Sequence, residues 1–321
     1  MVAEADESDR SFLKLFPTIA VVTNIDHEHL DNYGGFGDLQ QAFADFANKV
    51  PFYGGVIACA DDPNLVAIVP RLTRRVTTYG LDAKACDVTG TDVELEPLGV
   101  RAIVRRRGRR TGEAAPVILG PLSLLVPGRH NLQNALAAVA VGLELGLPFE
   151  RIKIGLQEFR GVERRFEVRG EPNDILVIDD YSHHPTEIAA ALAAARGLKR
   201  RLIVAFQPHR FTRTASLMDA FGPALAAADH VVLTDIYAAG EDPIAGITIE
   251  ALAAAVRRST SARVDVVPAV SDLTAAIVGL ARPGDVVMTL GAGSIGSVPE
   301  LLIEALAGSA SRPDGSKGGG A

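Results

Sequence analysis

The sequence predicts an α/β protein of two domains. Its 321 residues, 48% of them hydrophobic, are enough to bury two cores and too many to form one comfortably. In the first half, β-branched runs alternate with a helical stretch and then give way to short strands of alternating polarity. In the second half, apolar runs of strand length alternate regularly with helical patterns. We therefore expect a mixed sheet first, followed by a doubly wound, Rossmann-like domain.

The composition limits the kinds of partner. With 32 basic and 39 acidic residues, the net charge of −7 disfavours nucleic acid or a membrane surface and favours small molecules. Cys59 and Cys86 lack metal or redox spacing, which suits a reducing compartment. The first residues lack a secretory pattern, and apolar runs such as 135–141 are shorter than a membrane span. These features predict a cytoplasmic protein.

The first domain opens with a βαβ pattern. Residues 18–23 and 55–59 are strand-like runs, and residues 38–48 between them have helical spacing. From Cys86 to Val126 short alternating segments predict antiparallel strands. An apolar helix is then expected from Asn131 to Leu145.

The second domain repeats strand and helix. Predicted strands occupy residues 175–178, 202–206, 230–234, 263–267 and 285–290. Predicted helices occupy residues 187–196, 216–227, 249–257 and 272–281. The boundary is expected in the poorly periodic stretch 160–173, which gives domains of residues 1–166 and 167–307. The low-complexity residues 308–321 are expected to be disordered.

A polar segment follows the strand that ends at Ile178. It reads Asp-Asp-Tyr-Ser-His-His-Pro-Thr-Glu from Asp179, and its proline suits the first position of a helix. Ligands of open α/β sheets bind beyond the carboxyl ends of strands, so this segment is a candidate site. His183 and His184 are adjacent and point apart, so hydrogen bonding or substrate contact is favoured over metal binding, which stays the alternative.

The next strand is followed by Gln-Pro-His-Arg-Phe-Thr-Arg-Thr from Gln207. Arg210 and Arg213 are three residues apart, so one helical turn would place both guanidinium groups on one side. Such a pair suits a carboxylate or a phosphate, because each fork donates two parallel hydrogen bonds. The alternative is two surface arginines at a helix start.

Two acidic segments flank the first strand. The first is Glu-Ala-Asp-Glu-Ser-Asp from Glu4, and the second is Thr-Asn-Ile-Asp-His-Glu-His-Leu-Asp from Thr23. Carboxylates with an imidazole suit a divalent cation associated with phosphate. A solvated acidic loop is the alternative, and a zinc site at His27 and His29 would lack further ligands.

The segment Gly-Ala-Gly-Ser-Ile-Gly from Gly291 has the local setting of a dinucleotide fingerprint. That interpretation needs a further strand and an acidic ribose ligand about 20 residues on, and the sequence offers neither. A tight turn between strand and helix is the favoured interpretation.

Read together and in order, these motifs resemble the Mur ligase family. The resemblance also includes Pro-Phe-Tyr-Gly at Pro51, Gly-Arg-His-Asn-Leu-Gln-Asn from Gly128 and Arg-Arg-Phe at Arg164, and it runs from about residue 2 to about residue 306. It implies that the first domain is the remainder of a central, ATPase-like domain. Members of the family also carry an N-terminal domain that binds the UDP-sugar and a Walker A loop, and no G-x-x-x-x-G-K-[ST] occurs here. The resemblance thus implies a truncated chain that is inactive alone, with a missing N-terminal domain as a possible partner.

The resemblance further implies an ATP- and Mg²⁺-dependent amide ligase of peptidoglycan biosynthesis. The expected reaction joins L-alanine to UDP-N-acetylmuramate through an acyl phosphate. One alternative is the related ligase that attaches a recycled murein tripeptide, which generally lacks the run from His209 to Arg213. The other is a non-catalytic nucleotide-binding remnant.

The resemblance assigns roles to individual residues. Glu4 and His29 are expected to be Mg²⁺ ligands. The expected nucleotide contacts are His130, Asn131 and Asn134, together with Arg165 from the first domain and Asp180 from the second. The expected amino-acid pocket consists of Tyr181, His183, His209, Arg210 and Arg213. Of these, His183, Arg210 and Arg213 are expected to act in catalysis.

Overall fold

The computed structural model describes residues 1–27, 32–83, 85–107 and 116–309. Contacts divide the chain into two compact units, of which the first contains residues 1–125 and 129–159. The second contains residues 126–128 and those from 160 onward. The division therefore falls before residue 160, whereas we expected it after residue 166. Backbone and side-chain hydrogen bonds explain the difference, since Arg164 and Phe166 bond to the carboxylates of Asp179 and Asp180 in the second unit.

The first unit is built on one mixed sheet. Its strands are β1 (Ile19–Val22), β2 (Gly55–Cys59), β3 (Val76–Gly80), β4 (Val88–Glu96), β5 (Gly99–Arg106) and β6 (Val117–Leu124). Its helices are α1 (Phe36–Asn48), α2 (Pro63–Ile68), α3 (Arg129–Glu144) and α4 (Phe149–Glu158).

These strands follow one another across the sheet in sequence order. The first four pair in parallel, and β4, β5 and β6 pair antiparallel, as the alternating segments predicted. All five residues of β2 are buried, in keeping with its continuous apolar run. Sequence patterns did not reveal β3. Its sequence, Val-Thr-Thr-Tyr-Gly, is not a continuous apolar run, and only every second residue is buried at its start.

The acidic N-terminal segment is anchored on α1. A short 3-10 helix, Ser11–Lys14, buries Phe12 against the rings of Phe43 and Phe46, at centroid distances of 5.3 and 5.1 Å. Arg10 also forms an ion pair of 2.7 Å with Asp38 near the start of α1. The segment therefore lies against the first helix of the unit.

The second unit is a doubly wound α/β domain, as the sequence predicted. Its strands are β7 (Glu167–Gly170), β8 (Leu176–Asp180), β9 (Arg201–Phe206), β10 (His230–Leu233), β11 (Arg263–Val266) and β12 (Asp285–Leu290). Its helices are α5 (Pro185–Arg196), α6 (Phe211–Leu217), α7 (Phe221–Leu225), α8 (Ile249–Ser259), α9 (Val270–Leu280) and α10 (Val298–Ser309).

The strand order is β11–β10–β9–β12–β8–β7. All neighbours are parallel except β7, which runs antiparallel at the edge. Two apolar cores cover the two faces of the sheet. One includes buried residues of α5, α7 and α8, and the other includes residues of α9 and α10.

One predicted helix of this unit is wrong. Residues 216–227 were expected to be a single helix, but α6 ends at Leu217, a 3-10 turn covers Met218–Ala220, and α7 follows. Pro223 gives the physical reason. It has no N–H to bond to the carbonyl of Asp219, and its ring would clash with that carbonyl in a continuous helix.

The parallel register brings four strand ends to one edge of the sheet. Leu290 at the end of β12 pairs with Asp180 of β8 and with Phe206 of β9, and Phe206 pairs with Leu233 of β10. The polar segments that follow these strands must therefore lie side by side. Within the described residues, no helix is long and apolar enough to cross a membrane.

Candidate functional site

The polar segments after β8, β9 and β10 meet in a row of four aromatic rings. Successive ring centroids of Tyr181, His183, His209 and Tyr237 are separated by 5.5, 5.2 and 5.6 Å. We call these four residues the aromatic row. It crosses the carboxyl edge of the sheet, where ligands of open α/β folds bind.

Backbone hydrogen bonds fix the far end of the aromatic row. The N–H of Tyr237 donates to the carbonyl of Pro208, and the N–H of Arg210 donates to the carbonyl of Tyr237, both at 2.8 Å. The loops after β9 and β10 are thus joined as a short parallel bridge at His209 and Tyr237. Tyr237 was not among the residues that the sequence predicted for this site.

His209 lies beside two cations. Nη1 of Arg213 is 3.4 Å from Nδ1 of His209. Burial of the half-buried ring, followed by the effects of His183, Arg213 and Arg210, lowers the pKa of His209 to about 4. The imidazole is therefore neutral at pH 7 and adds no charge to the cluster.

Arg210 does not occupy the position that the sequence predicted. It precedes α6 with φ of 70°, so it does not share a helical turn with Arg213. Its Nη1 lies 3.9 Å from Oε1 of Glu241. Glu241 also accepts hydrogen bonds from the N–H and hydroxyl of Thr212, at 3.0 and 2.7 Å. Both arginines nonetheless lie near enough to His209 to lower its pKa.

The two neighbouring histidines have different surroundings. His184 caps α5, with a weak 3.4 Å bond from the N–H of Thr186 to its Nδ1, whereas the His183 ring lies in the aromatic row. Glu187 accepts the N–H groups of both histidines, at 3.1 and 3.3 Å. Burial opposes ionisation of Glu187, but these bonds, His183 and Arg165 together lower its pKa. The cap therefore fixes the backbone that carries His183.

Arg165 and Asp180 lie in the same unit, not in two domains as expected. Arg165 forms an ion pair of 3.2 Å with Glu187. Buried Asp180 accepts the N–H groups of Phe166 and Ser182, both at 2.7 Å. Burial raises the pKa of Asp180, although these bonds favour its charged form. Their contact with nucleotide stays a prediction.

Arg164 is a further site residue that sequence patterns did not identify. Its Nε donates to Oδ2 of Asp179 at 2.8 Å, and its Nη2 donates to the carbonyl of Gly291 at 2.7 Å. Its guanidinium carbon also lies 5.2 Å from the ring centroid of Tyr181. Asp179 is 1% exposed and accepts a 2.7 Å bond from the hydroxyl of Thr289. Arg164 thus joins the ends of β8 and β12 beneath the aromatic row.

The glycine-rich segment forms a strand-to-helix turn, in agreement with the favoured interpretation. Gly291 has φ of 143°, which favours glycine. A Cβ on Gly293 would lie 2.6 Å from Cγ of Tyr237 and from Oε1 of Gln207. A Cβ on Gly296 would lie 2.6 Å from the guanidinium carbon of Arg164. These two glycines therefore make room for side chains of the site itself.

In the first unit, the three predicted nucleotide contacts lie in the first two turns of α3. His130 and Asn131 are half-buried, and Asn134 is exposed. Asp61 supports this part of α3 through Gln133, whose Nε2 donates to its carboxylate at 2.9 Å. The same carboxylate accepts the N–H groups of the loop 81–83, at 2.6, 2.9 and 2.8 Å.

The predicted metal ligands are described only in part. Glu4 is exposed, and His29 lies outside the described residues, so this pair stays a prediction. Among the residues that the structure describes, no group of three or more histidine, cysteine or acidic side chains could hold a metal.

Two family patterns match the chain. The Mur ligase middle domain matches residues 2–142, and the glutamate ligase domain of Mur ligases matches residues 164–293. A UDP-N-acetylmuramate–L-alanine ligase from Geotalea uraniireducens is 48% identical over 309 residues, which cover 96% of this chain and 66% of the relative. A ligase of the same name from Geobacter sulfurreducens is also 48% identical, over 95% of this chain and 65% of the relative. The chain thus spans just under two thirds of the length of these relatives.

Solved structures agree with this assignment. The UDP-N-acetylmuramate–alanine ligase of Thermotoga maritima has a TM-score of 0.75 and 27% identity, covering 95% of this chain and 63% of that one. A murein peptide ligase from Psychrobacter arcticus, with a TM-score of 0.61 and 22% identity over 92% of this chain and 58% of that one, shares the fold. The two domain matches and the similarity to alanine ligases show that this chain belongs to the Mur ligase family of ligases.

Proposed function

We propose that this chain provides the middle and C-terminal domains of an enzyme that joins L-alanine to UDP-N-acetylmuramate in peptidoglycan synthesis. The observation that carries the proposal is the cluster of Arg210, Arg213, His209 and His183 at the carboxyl edge of the second unit. Relatives that are 48% identical over nearly the whole chain bear the name of this activity.

The cluster suits an amino acid with a small side chain. Arg213 and Arg210 supply two cations for the carboxylate of L-alanine. Neutral His209 adds no third positive charge, so it does not repel the ammonium group of the amino acid. The aromatic row gives the pocket a rigid wall, because its rings are only 5.2 to 5.6 Å apart.

In this proposal the nucleotide binds to side chains at the start of α3. His130, Asn131 and Asn134 would contact the adenosine. Arg165 and Asp180 of the second unit stay predicted nucleotide contacts. ATP supplies the phosphoryl group that activates the muramate carboxylate, and the amine of L-alanine then displaces phosphate. Such a reaction depends mainly on positioning the reactants and on neutralising their negative charges. Arg210 and Arg213 would do both for the carboxylate of L-alanine.

Mg²⁺ would be bound by Glu4 together with His29. The exposed carboxylate of Glu4 is a ligand type that Mg²⁺ prefers. Since the sequence contains no P-loop motif, we further propose that this chain alone does not turn over ATP. Phosphate release by the isolated chain at about 1 s⁻¹ or more, a typical enzyme rate, would contradict this.

The proposed function can be tested with a fusion protein that adds the N-terminal part of a relative to this chain. The N-terminal third of the Geotalea uraniireducens ligase is fused ahead of this chain and given ATP, Mg²⁺ and UDP-N-acetylmuramate. We expect L-alanine to yield one amide product and one phosphate per ATP consumed. A fusion that uses a murein tripeptide and ignores L-alanine would show that the amine substrate is wrong. A folded fusion that ligates neither L-alanine nor the tripeptide would show that the proposed function is wrong.

A further inference from the structure

The end of the aromatic row suggests how the amino-acid site selects by size. We infer that Tyr237 and Gly293 determine which side chain the site accepts, because Tyr237 supports His209 and Gly293 leaves space for Tyr237. This inference rests on the proposed function, since it concerns the residues that select the amino acid of that same site.

The position of His209 depends on Tyr237. The two rings are nearly parallel, with an interplanar angle of 16° and a centroid distance of 5.6 Å. On its other side, His209 meets His183 at 5.2 Å. Because His209 lies between these two rings, we expect it to move back for a longer substrate side chain only if Tyr237 moves as well.

Tyr237 is itself held in place from two directions. Its backbone N–H and carbonyl form the hydrogen bonds to Pro208 and Arg210, both 2.8 Å long. Behind its ring lies Gly293, where a Cβ would be 2.6 Å from Cγ and 2.8 Å from Cβ of the tyrosine. Real Cβ atoms do not approach this closely, so the ring occupies the space that any larger residue at position 293 would need.

Gln207 explains why the turn that carries Gly293 cannot move away. Its Oε1 accepts the N–H of Ile295 at 3.0 Å, and its Nε2 donates to the hydroxyl of Ser294 at 3.1 Å. Buried Gln207 comes from the same segment as His209, just after β9. The wall therefore consists of His209, Tyr237 and the 293–295 turn, and its parts are fixed to one another.

The test compares the binding of L-alanine and L-valine to the full chain by NMR titration. One methylene group in a pocket changes affinity by about tenfold or more, so we expect the wild-type chain to prefer L-alanine by at least about tenfold. Tyr237→Ala should reduce this preference to about threefold or less, because His209 can then move back. Tyr237→Phe keeps the ring and should keep the preference.

Gly293→Ala gives a second and independent variant. Position 293 has φ of −96°, outside the left-handed region that favours glycine, so we expect alanine there to act through its contact with Tyr237 and Gln207. We expect L-alanine to bind about tenfold more weakly. Gly279→Ala is the matched control, because a Cβ there has no atom within 4 Å, and its binding should match the wild type.

The outcomes separate the two proposals. If the folded wild-type chain binds L-alanine and Tyr237→Ala and Gly293→Ala leave its preference and affinity unchanged, the inference is wrong and the proposed function stands. If the wild-type chain binds neither amino acid, the proposed site is wrong and the inference falls with it. Retained backbone spectra of the variants show that each one is folded.

Discussion

Nη1 of Arg213 lies 3.4 Å from Nδ1 of His209. A guanidinium group can donate but cannot accept, so Nδ1 is the acceptor and the proton of the neutral ring lies on Nε2. Burial of the ring, together with His183, Arg213 and Arg210, lowers the pKa of His209 to about 4. The arginine therefore fixes the tautomer of this histidine, and burial together with the neighbouring charges keeps the ring neutral at pH 7.

The first prediction concerns the titration of His209. Between pH 8 and about 5 its imidazole should stay neutral, because its pKa is about 4. Arg213→Met removes one of the cations and should move that pKa toward the ordinary value of about 6.5. Ring signals in ¹⁵N NMR spectra report the titration. Arg258→Met, which removes a largely exposed arginine paired with Asp219, is the control and should leave the pKa of His209 unchanged.

The same pKa makes the stability of the second unit depend on pH. Between about pH 4 and 6.5 the unfolded chain binds more protons at His209 than the folded chain does. The stabilising contribution of this group is therefore complete above about pH 6.5 and is lost as the pH falls toward 4. Urea unfolding of wild type and His209→Gln measures this. A pH dependence that is the same in both would contradict the depressed pKa.

A further prediction tests the contact between Gly296 and Arg164. An alanine Cβ at position 296 would displace the guanidinium group that pairs with buried Asp179. We expect Gly296→Ala to lower the free energy of unfolding by about 1–3 kcal/mol, as overpacking does. Gly279→Ala, where a Cβ meets no atom within 4 Å, should not destabilise the chain. Equal unfolding midpoints for both variants would show that Arg164 adapts without cost.

Asp61 allows a comparable test in the first unit. Its carboxylate accepts three backbone N–H groups and the amide of Gln133, and these bonds lower its pKa even though burial opposes this. Asp61→Asn turns one acceptor into a donor that faces other donors, so we expect a loss of about 2–3 kcal/mol in denaturant unfolding. Asp45→Asn removes the charge of a residue that accepts an exposed bond from Gln41, and should cost less than about 0.5 kcal/mol. A cost for Asp61→Asn as small as that of the control would exclude the role of Asp61 in holding the loop against α3.

The sequence predicted the strands that are apolar throughout and the polar segments that follow them. The rule that sites lie beyond the carboxyl ends of strands identified the segments after β8 and β9, and it also applies to Tyr237 after β10. Tyr237 was missed because its segment carries no paired arginines or histidines. Arg164 belongs to the Arg-Arg-Phe motif, but its role was not predicted, since its partners Asp179 and Gly291 are 15 and 127 residues away in the chain. Arg210 was placed in a helix because residue spacing does not reveal its φ of 70°.

The most direct test measures the KM for L-alanine and for ATP in the fusion that carries the N-terminal third of a relative. Losing a hydrogen bond to a charged group costs about 1.5–3 kcal/mol, so Arg213→Ala and Arg210→Ala should each raise the KM for L-alanine about tenfold or more. The KM for ATP should change less than about threefold, and Arg258→Ala should change neither. Equal increases in the KM for L-alanine and for ATP would indicate that these arginines bind the phosphates. No increase in either KM would indicate that they are surface residues without a role in binding. Either result would contradict the proposed amino-acid site.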